Sequence, residues 1–158
     1  MKNKYLILIF FPLFFCSKNV FSIEPAIYLN PGVKLGYQFG EGGGAVVGLE
    51  LSITSLSLGY PIIGLVSNID YCKGNTKLHF GAEVSAGVLG IDIGPSFYYT
   101  DKGTFNALTF GAYSLSYIIP YYETTWIYKD TTTRITQIGS YIKAPLNLSR
   151  LVKGKSVF

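Results

Sequence analysis

Apolar and polar positions alternate along most of the chain after residue 26. From Ile27 to Phe39 the odd positions are apolar, Pro31 included, and the even positions are mostly polar residues or glycine. A helix would place residues 27, 29 and 31 on different faces, whereas a strand places them on one face. The pattern therefore predicts a β-strand with two chemically different sides.

The same alternation recurs along the chain and is separated by turn-forming segments. It is clear in residues 45–54, 77–88, 89–99 and 137–146, while residues 59–71 and 104–128 favour strands without a clear register. Polar connections are predicted at residues 40–44, 72–75, 100–103 and 129–133, and less polar breaks near residues 59–61, 89–90 and 119–120. Four polar loops and three breaks predict eight strands, nearly all antiparallel. No amphipathic helical pattern follows residue 22.

The polar side of the predicted strands is built largely from very small residues. Its members include Gly36, Gly48, Ser52, Gly81, Ser85, Gly87, Gly94 and Ser96. A strand surface in contact with water would carry more lysine, glutamate and threonine. Small residues instead suit the narrow interior of an eight-stranded barrel. This composition favours a barrel with its polar side inside and its apolar side against lipid.

Isolated charged residues on the polar side are the candidate site residues. They are Lys34, Glu50, His79, Glu83, Asp92 and Lys143, with Lys77 and Glu123 as further candidates. In a barrel interior these groups must pair, because an unpaired buried charge is costly. We expect a ladder of ion pairs in which Lys34 and Lys143 meet the carboxylates, and no catalytic or metal-binding role for these residues. One histidine and one cysteine after residue 22 leave no zinc site.

The first 22 residues predict a secretory signal peptide. Lys2 and Lys4 precede an apolar run over residues 5–15, and residues 20–22 suit cleavage after Ser22. This run is shorter than the roughly 17–25 residues of a membrane-spanning helix. Lipidation at Cys16 is a second interpretation, although the residue before it, Phe15, is bulky where lipoproteins need a small one.

Length and charge limit the remaining possibilities. The 158 residues suffice for one domain, predicted as a β-barrel over residues 23–148 with a short basic tail at 149–158. Charged residues make up only 14% of the chain, against about 25% in an average soluble protein. Without the signal peptide ten basic residues face nine acidic ones, so no nucleic-acid surface is predicted. Only Cys72 remains after the signal peptide, which excludes an intramolecular disulfide.

Residues 31–37 and 80–87 resemble strand segments of a known protein family. With the alternation around them, the chain over about residues 26–148 resembles the small eight-stranded bacterial outer-membrane β-barrel proteins of the OmpA and OmpX type. The resemblance implies a closed antiparallel up-and-down barrel in the Gram-negative outer membrane, with the polar loops outside the cell. It also implies a C-terminal aromatic residue for the insertion machinery, which Phe158 fits. Aromatic residues near strand ends would then form interfacial girdles: Tyr60, Phe97, Tyr98, Tyr99, Tyr117, Tyr121, Tyr122, Trp126 and Tyr128.

We expect a structural or interaction role in the outer membrane, without catalysis or cofactor. Membrane lipid is the expected partner, and the sequence specifies no protein or small-molecule partner. The alternative is a secreted or periplasmic soluble β-barrel that encloses an apolar ligand within its isoleucine, leucine and tyrosine face. A third hypothesis is a lipid-modifying barrel enzyme that uses His79 with Glu83 and either Ser85 or Ser52.

Overall fold

The computed structural model describes residues 26–56, 61–86, 88–114, 118–129 and 131–152. The predicted signal peptide, with Cys16, and the C-terminal Phe158 lie outside these residues. Eight strands of 11 to 14 residues follow one another: β1 (Ala26–Phe39), β2 (Gly44–Leu56), β3 (Ile62–Cys72), β4 (Asn75–Ala86), β5 (Leu89–Thr100), β6 (Gly103–Ser114), β7 (Ile118–Tyr128) and β8 (Thr133–Lys143).

The eight strands form a closed antiparallel barrel. Each strand pairs with the next one in sequence, and β1 pairs with both β2 and β8, which closes the sheet. Residues Gly32–Phe39 of β1 pair with residues Lys143 to Thr136 of β8. Over this length no open strand edge remains between the two strands. The predicted all-β, up-and-down, eight-stranded architecture is confirmed.

Four hairpin connections lie at one end of the barrel, which we call the hairpin end. They comprise residues 40–43, 73–74 and 101–102 and the connection between Tyr128 and Thr133, and each falls within a predicted polar loop. In the first of them Gly40 and Gly42 adopt positive φ angles, of 99° and 68°, which side chains disfavour. The chain termini of the described region lie at the opposite end, the terminal end.

Two predicted strand breaks were misplaced. Leu89 and Gly90 are the first residues of β5, and Ile119 and Pro120 lie within β7. Pro120 lacks a backbone N–H, but as the third residue of its strand it removes a hydrogen bond only near the strand end. The third predicted break, at residues 59–61, falls mainly outside the described residues.

Side-chain orientation follows the alternation and places the polar side inside. Among the described residues, large apolar side chains such as Leu49, Leu65 and Ile93 point outward and are 61%, 68% and 51% exposed. Lys34, His79 and Thr109 point inward and have no exposed surface. The alternative soluble barrel required the isoleucine and leucine face to line a cavity, and that face is on the outside.

The aromatic residues near strand ends divide between the two sides of the wall. Tyr98 and Tyr121 point inward and are buried, so they do not belong to a girdle as predicted. Phe97, Tyr99, Tyr122, Trp126 and Tyr128 are on the outer side, while Tyr60 and Tyr117 lie outside the described residues. With Tyr37, Phe39 and Tyr71, most outward aromatic rings lie toward the hairpin end.

The last described segment closes the terminal end. After β8 the chain breaks at Ala144 and Pro145, and the two-residue strand β9 (Leu146–Asn147) then pairs with Tyr28 and Leu29 of β1. A short helix, α1 (Leu148–Val152), follows, which the absence of a helical pattern did not predict. The Asn147 side-chain oxygen accepts a hydrogen bond from the Arg150 backbone N–H at 3.1 Å and caps the helix. No helix in the described ranges is long and apolar enough to cross a membrane.

Inward glycines make room for large side chains from neighbouring strands. A Cβ added at Gly90 would lie 2.4 Å from the Tyr113 ring, and one added at Gly111 would lie 2.1 Å from an Asp92 carboxylate oxygen. At Gly94 the nearest atoms are all backbone, with the Phe80 carbonyl oxygen at 2.0 Å. The predicted role of small residues in a narrow interior therefore has a direct geometric cause.

We expect Gly94→Ala to destabilise the barrel by about 1–3 kcal/mol, because the strand backbones must separate to admit the methyl group. Urea unfolding, followed by the fluorescence of the single tryptophan, Trp126, measures the change. Gly44→Ala is the matched control, since the three atoms nearest its Cβ all belong to the movable side chain of Lys73. Equal stability of the two variants would contradict the prediction.

Candidate functional site in the barrel interior

Charged side chains are excluded from the middle of the outer surface. Of the fifteen charged residues in the described ranges, eight point into the barrel: Lys34, Glu50, Asp70, Lys77, Glu83, Asp92, Glu123 and Lys143. The other seven lie in hairpins, in α1 or, for the outward Arg134, at the second position of β8. The interior is therefore the candidate site.

Four of the inward residues form a ring of alternating charge. The Lys34 Nζ lies 2.7 Å from Asp70 Oδ2 and 2.8 Å from Glu123 Oε2. The Lys77 Nζ lies 2.9 Å from Asp70 Oδ2 and also pairs with Glu123 Oε1. Each lysine thus contacts both carboxylates, and the four side chains, at most 2% exposed, balance in charge. We call this set the charge ring.

Aromatic rings cover the charge ring toward the terminal end. The Lys34 Nζ lies 4.6 Å from the centre of the Tyr121 ring and 5.6 Å from that of Tyr141. These two rings are 4.6 Å apart and pack with Tyr113 and Ile119 into a buried apolar cluster. Cation–π contact adds to the ion pairs in this buried position.

The remaining candidates form smaller contacts nearer the terminal end. Lys143 pairs with Glu50, and its Nζ lies 5.0 Å from the centre of the Tyr141 ring. Glu83 Oε2 accepts a hydrogen bond from the Tyr113 hydroxyl at 3.0 Å. The structure thus places Lys143 against Glu50, whereas Lys34 meets Asp70 and Glu123 rather than Glu50, Glu83 or Asp92.

His79 links a carboxylate to a chain of hydroxyl groups. Its Nε2 lies 3.1 Å from Asp92 Oδ1, and its Nδ1 lies 2.9 Å from Ser96 Oγ. Ser96 is hydrogen-bonded to Thr109 at 2.7 Å, and Thr109 to Thr125 at 2.8 Å. This carboxylate–imidazole–hydroxyl order resembles a nucleophilic triad. However, the serine is Ser96 rather than Ser85 or Ser52, and it is 1% exposed.

Beyond the charge ring and the contacts of His79, another set of polar side chains lies toward the hairpin end. Gln38 donates a hydrogen bond to the Tyr98 hydroxyl at 3.2 Å and accepts one from the Gln137 amide at 3.1 Å. Beside it an apolar cluster of Tyr98, Ala107, Ile127 and Ile135 fills the barrel. Polar layers and apolar clusters together occupy the interior from one end to the other.

Sequence reasoning missed Asp70, a central member of the charge ring. Residues 67–71 alternate Asn68 and Asp70 with Ile69 and Tyr71, so the period of two was present but was not followed through this segment. Tyr113 and Tyr121 were missed as inward groups because apolar and polar residues occur on both sides of β6 and β7. No periodic signal distinguishes the faces of such strands.

The inward side chains of the described residues form ion pairs, hydrogen bonds and apolar clusters. They contain no group of three or more histidine, cysteine, aspartate or glutamate side chains placed to hold a metal ion. Comparison with protein-family models and with curated proteins finds no match to the chain. The arrangement of side chains is therefore the basis for a functional proposal.

We expect Lys34→Met to destabilise the barrel by about 3–5 kcal/mol, because Asp70 and Glu123 would then share a single buried cation. The urea unfolding midpoint of the folded barrel measures this loss. Lys129→Met is the control, since Lys129 pairs with Glu41 at the surface and such pairs contribute about 1 kcal/mol or less. If both variants unfold at the same urea concentration, the charge ring does not stabilise the fold.

Proposed function

We propose that this protein is a small integral outer-membrane β-barrel, similar in plan to the OmpA and OmpX barrels, with a structural or interaction role and no catalysis. The observation that carries the proposal is the polarity of the barrel wall, which is apolar on the outside and polar on the inside, the reverse of a water-soluble barrel. Twenty-five large apolar side chains among the described residues are exposed on the outside, while charged groups lie inside or at the ends. In water such a surface would be a strong aggregation hazard, and in lipid it is the stable arrangement.

The dimensions of the strands support a membrane location. Strands of 11 to 14 residues, at about 3.3 Å per residue and a tilt of about 40°, span about 30 Å. This height matches the hydrocarbon core of a bilayer. Closure of the sheet also satisfies the strand hydrogen bonds that lipid cannot satisfy.

The filled interior supports a role other than transport or catalysis. Buried ion pairs and tyrosine rings occupy the axis, and an eight-stranded lumen has little further space. The oxygen of Ser96 is buried and bonded to both His79 and Thr109, so it is not presented to a lipid substrate. The hairpins of two to four residues offer only a small surface at the hairpin end. This surface carries charged residues such as Lys73, Asp101 and Lys102.

We expect the full chain, expressed in a Gram-negative host, to fractionate with the outer membrane. On a gel its band should shift after boiling, because closed barrels resist detergent until they are heated. The mass of the mature protein reports cleavage after Ser22 or lipidation at Cys16. A soluble protein with no heat-dependent shift would refute the proposal.

The second test places a charge at different depths of the outer face. Leu49 pairs with Val33 and Ile69 near the middle of the wall, and Leu49→Arg should cost about 2–4 kcal/mol in a bilayer. Tyr128→Arg, at the hairpin end of β7, should cost about 1 kcal/mol or less. Unfolding in lipid vesicles measures both variants. In a water-facing wall Leu49→Arg would be neutral or stabilising, which would contradict the proposal.

A further inference from the structure

The first hairpin, residues 40–43, bends over the mouth of the barrel at the hairpin end. It is longer than the two-residue hairpins that follow β3 and β5. A Cβ added at Gly42 would lie 2.7 Å from Asn75 Nδ2 and 4.0 Å from the Tyr98 hydroxyl oxygen. Asn75 begins β4 and Tyr98 is a buried residue of β5, so this hairpin between β1 and β2 reaches side chains from the far side of the barrel.

Inward side chains bind the backbone of this hairpin. Gln38 Nε2 donates a hydrogen bond to the Glu41 carbonyl oxygen at 3.2 Å, and the Cys72 thiol donates one to the Gly42 carbonyl oxygen at 3.4 Å. Gln38 and Cys72 are both buried, so the hairpin lies directly above interior groups. We call residues 40–43 the strap.

An ion pair holds the strap from another direction. The Lys129 Nζ, which follows β7, lies 3.1 Å and 3.2 Å from the two carboxylate oxygens of Glu41. The same Nζ lies 4.9 Å from the centre of the Phe105 ring, which packs against the apolar cluster at this end of the barrel. The ion pair therefore lies beside an inward ring of β6, and the strap extends across the mouth rather than away from it.

These contacts are weak compared with the strand ladders beneath them. The side chains of Glu41 and Lys129 are 55% and 20% exposed, and such ion pairs contribute about 1 kcal/mol or less. A thiol is a weak hydrogen-bond donor. Gly40 and Gly42 add conformational freedom that favours release of the segment. Few and weak contacts are typical of segments that open locally while the rest of a protein stays folded.

We propose that the strap is a cover that closes the hairpin end of the barrel and opens locally when Glu41 releases Lys129, while the eight strands stay paired. The closed strap shields the Cys72 thiol and the amides of Gln38 and Gln137 from the medium, and the open strap exposes them. This inference goes beyond the proposed function, since it concerns one end of the barrel and holds whether lipid or detergent surrounds the wall.

The reaction rate of the Cys72 thiol with N-ethylmaleimide, a small neutral reagent, measures strap opening. The full chain carries Cys16→Ser, so that Cys72 is the only thiol, and is folded in detergent micelles. We expect a slow reaction whose rate stays nearly constant at low urea concentrations, because local opening exposes little surface. A rate equal to that of the unfolded chain would show that nothing covers the thiol. A rate that rises with urea as steeply as global unfolding would show that the strap does not open by itself. Either result would overturn the proposal.

Two variants test whether the ion pair holds the strap. Glu41→Gln and Lys129→Met should each raise the reaction rate roughly two- to fivefold, since each removes the same exposed ion pair. A direct effect of charge on the thiol would differ in sign, because loss of a negative charge favours the thiolate and loss of a positive charge disfavours it. Unless both variants react faster, the proposal is wrong.

Asp101→Asn is the matched control for the removal of a carboxylate at this end. Asp101 lies in the hairpin between β5 and β6, outside the strap. We expect the reaction rate of Cys72 to be unchanged in this variant. An increase as large as that in Glu41→Gln would contradict the assignment of the effect to the strap.

Discussion

The structure depends on the pairing of charge inside a narrow closed sheet. An eight-stranded barrel has room for side chains but little room for water, so each ionised group inside needs a partner within hydrogen-bond distance. The charge ring meets this condition with two lysines that each contact two carboxylates. Because paired polar groups occupy much of the interior, most of the large apolar residues can lie on the outside. The apolar outer wall and the polar interior therefore both follow from the pairing of charged groups inside the barrel.

Small residues make this arrangement possible in the available space. Gly90 and Gly111 leave room for Tyr113 and Asp92, and Gly36 leaves room for Tyr121. A glycine on one strand and a large polar group on an adjacent or next-but-one strand therefore form a spatial unit. The high glycine content, which first suggested a narrow interior, reflects these pairs of positions rather than flexible loops alone.

The sequence predicted the fold more completely than the contacts of the site. Period-two alternation gave the number of strands and the side of the wall for residues such as Lys34 and His79, because side-chain direction is a local property of a strand. It failed in β6 and β7, where inward Ile127 and outward Trp126 are both apolar. It also failed to pair Lys34 with Asp70, since partners across a barrel depend on the stagger of all strands, which no short segment encodes. Short apolar breaks were misplaced for a related reason, because Leu89 and Ile119 suit a strand as well as a turn.

The charge ring has a consequence for the order of folding. Its members come from β1, β3, β4 and β7, and Lys34 and Glu123 are separated by 89 positions in the chain. Contacts between such distant residues form after the local hairpins, because the hairpins shorten the loop that must still be closed and so lower its entropy cost. Asp70 and Lys77 face each other within the β3–β4 hairpin, but we expect the ring to be completed late, when the sheet curls and β1 meets β8. Interactions that form after the transition state slow unfolding while leaving the folding rate nearly unchanged. We therefore expect the charge ring to slow the unfolding of the finished barrel.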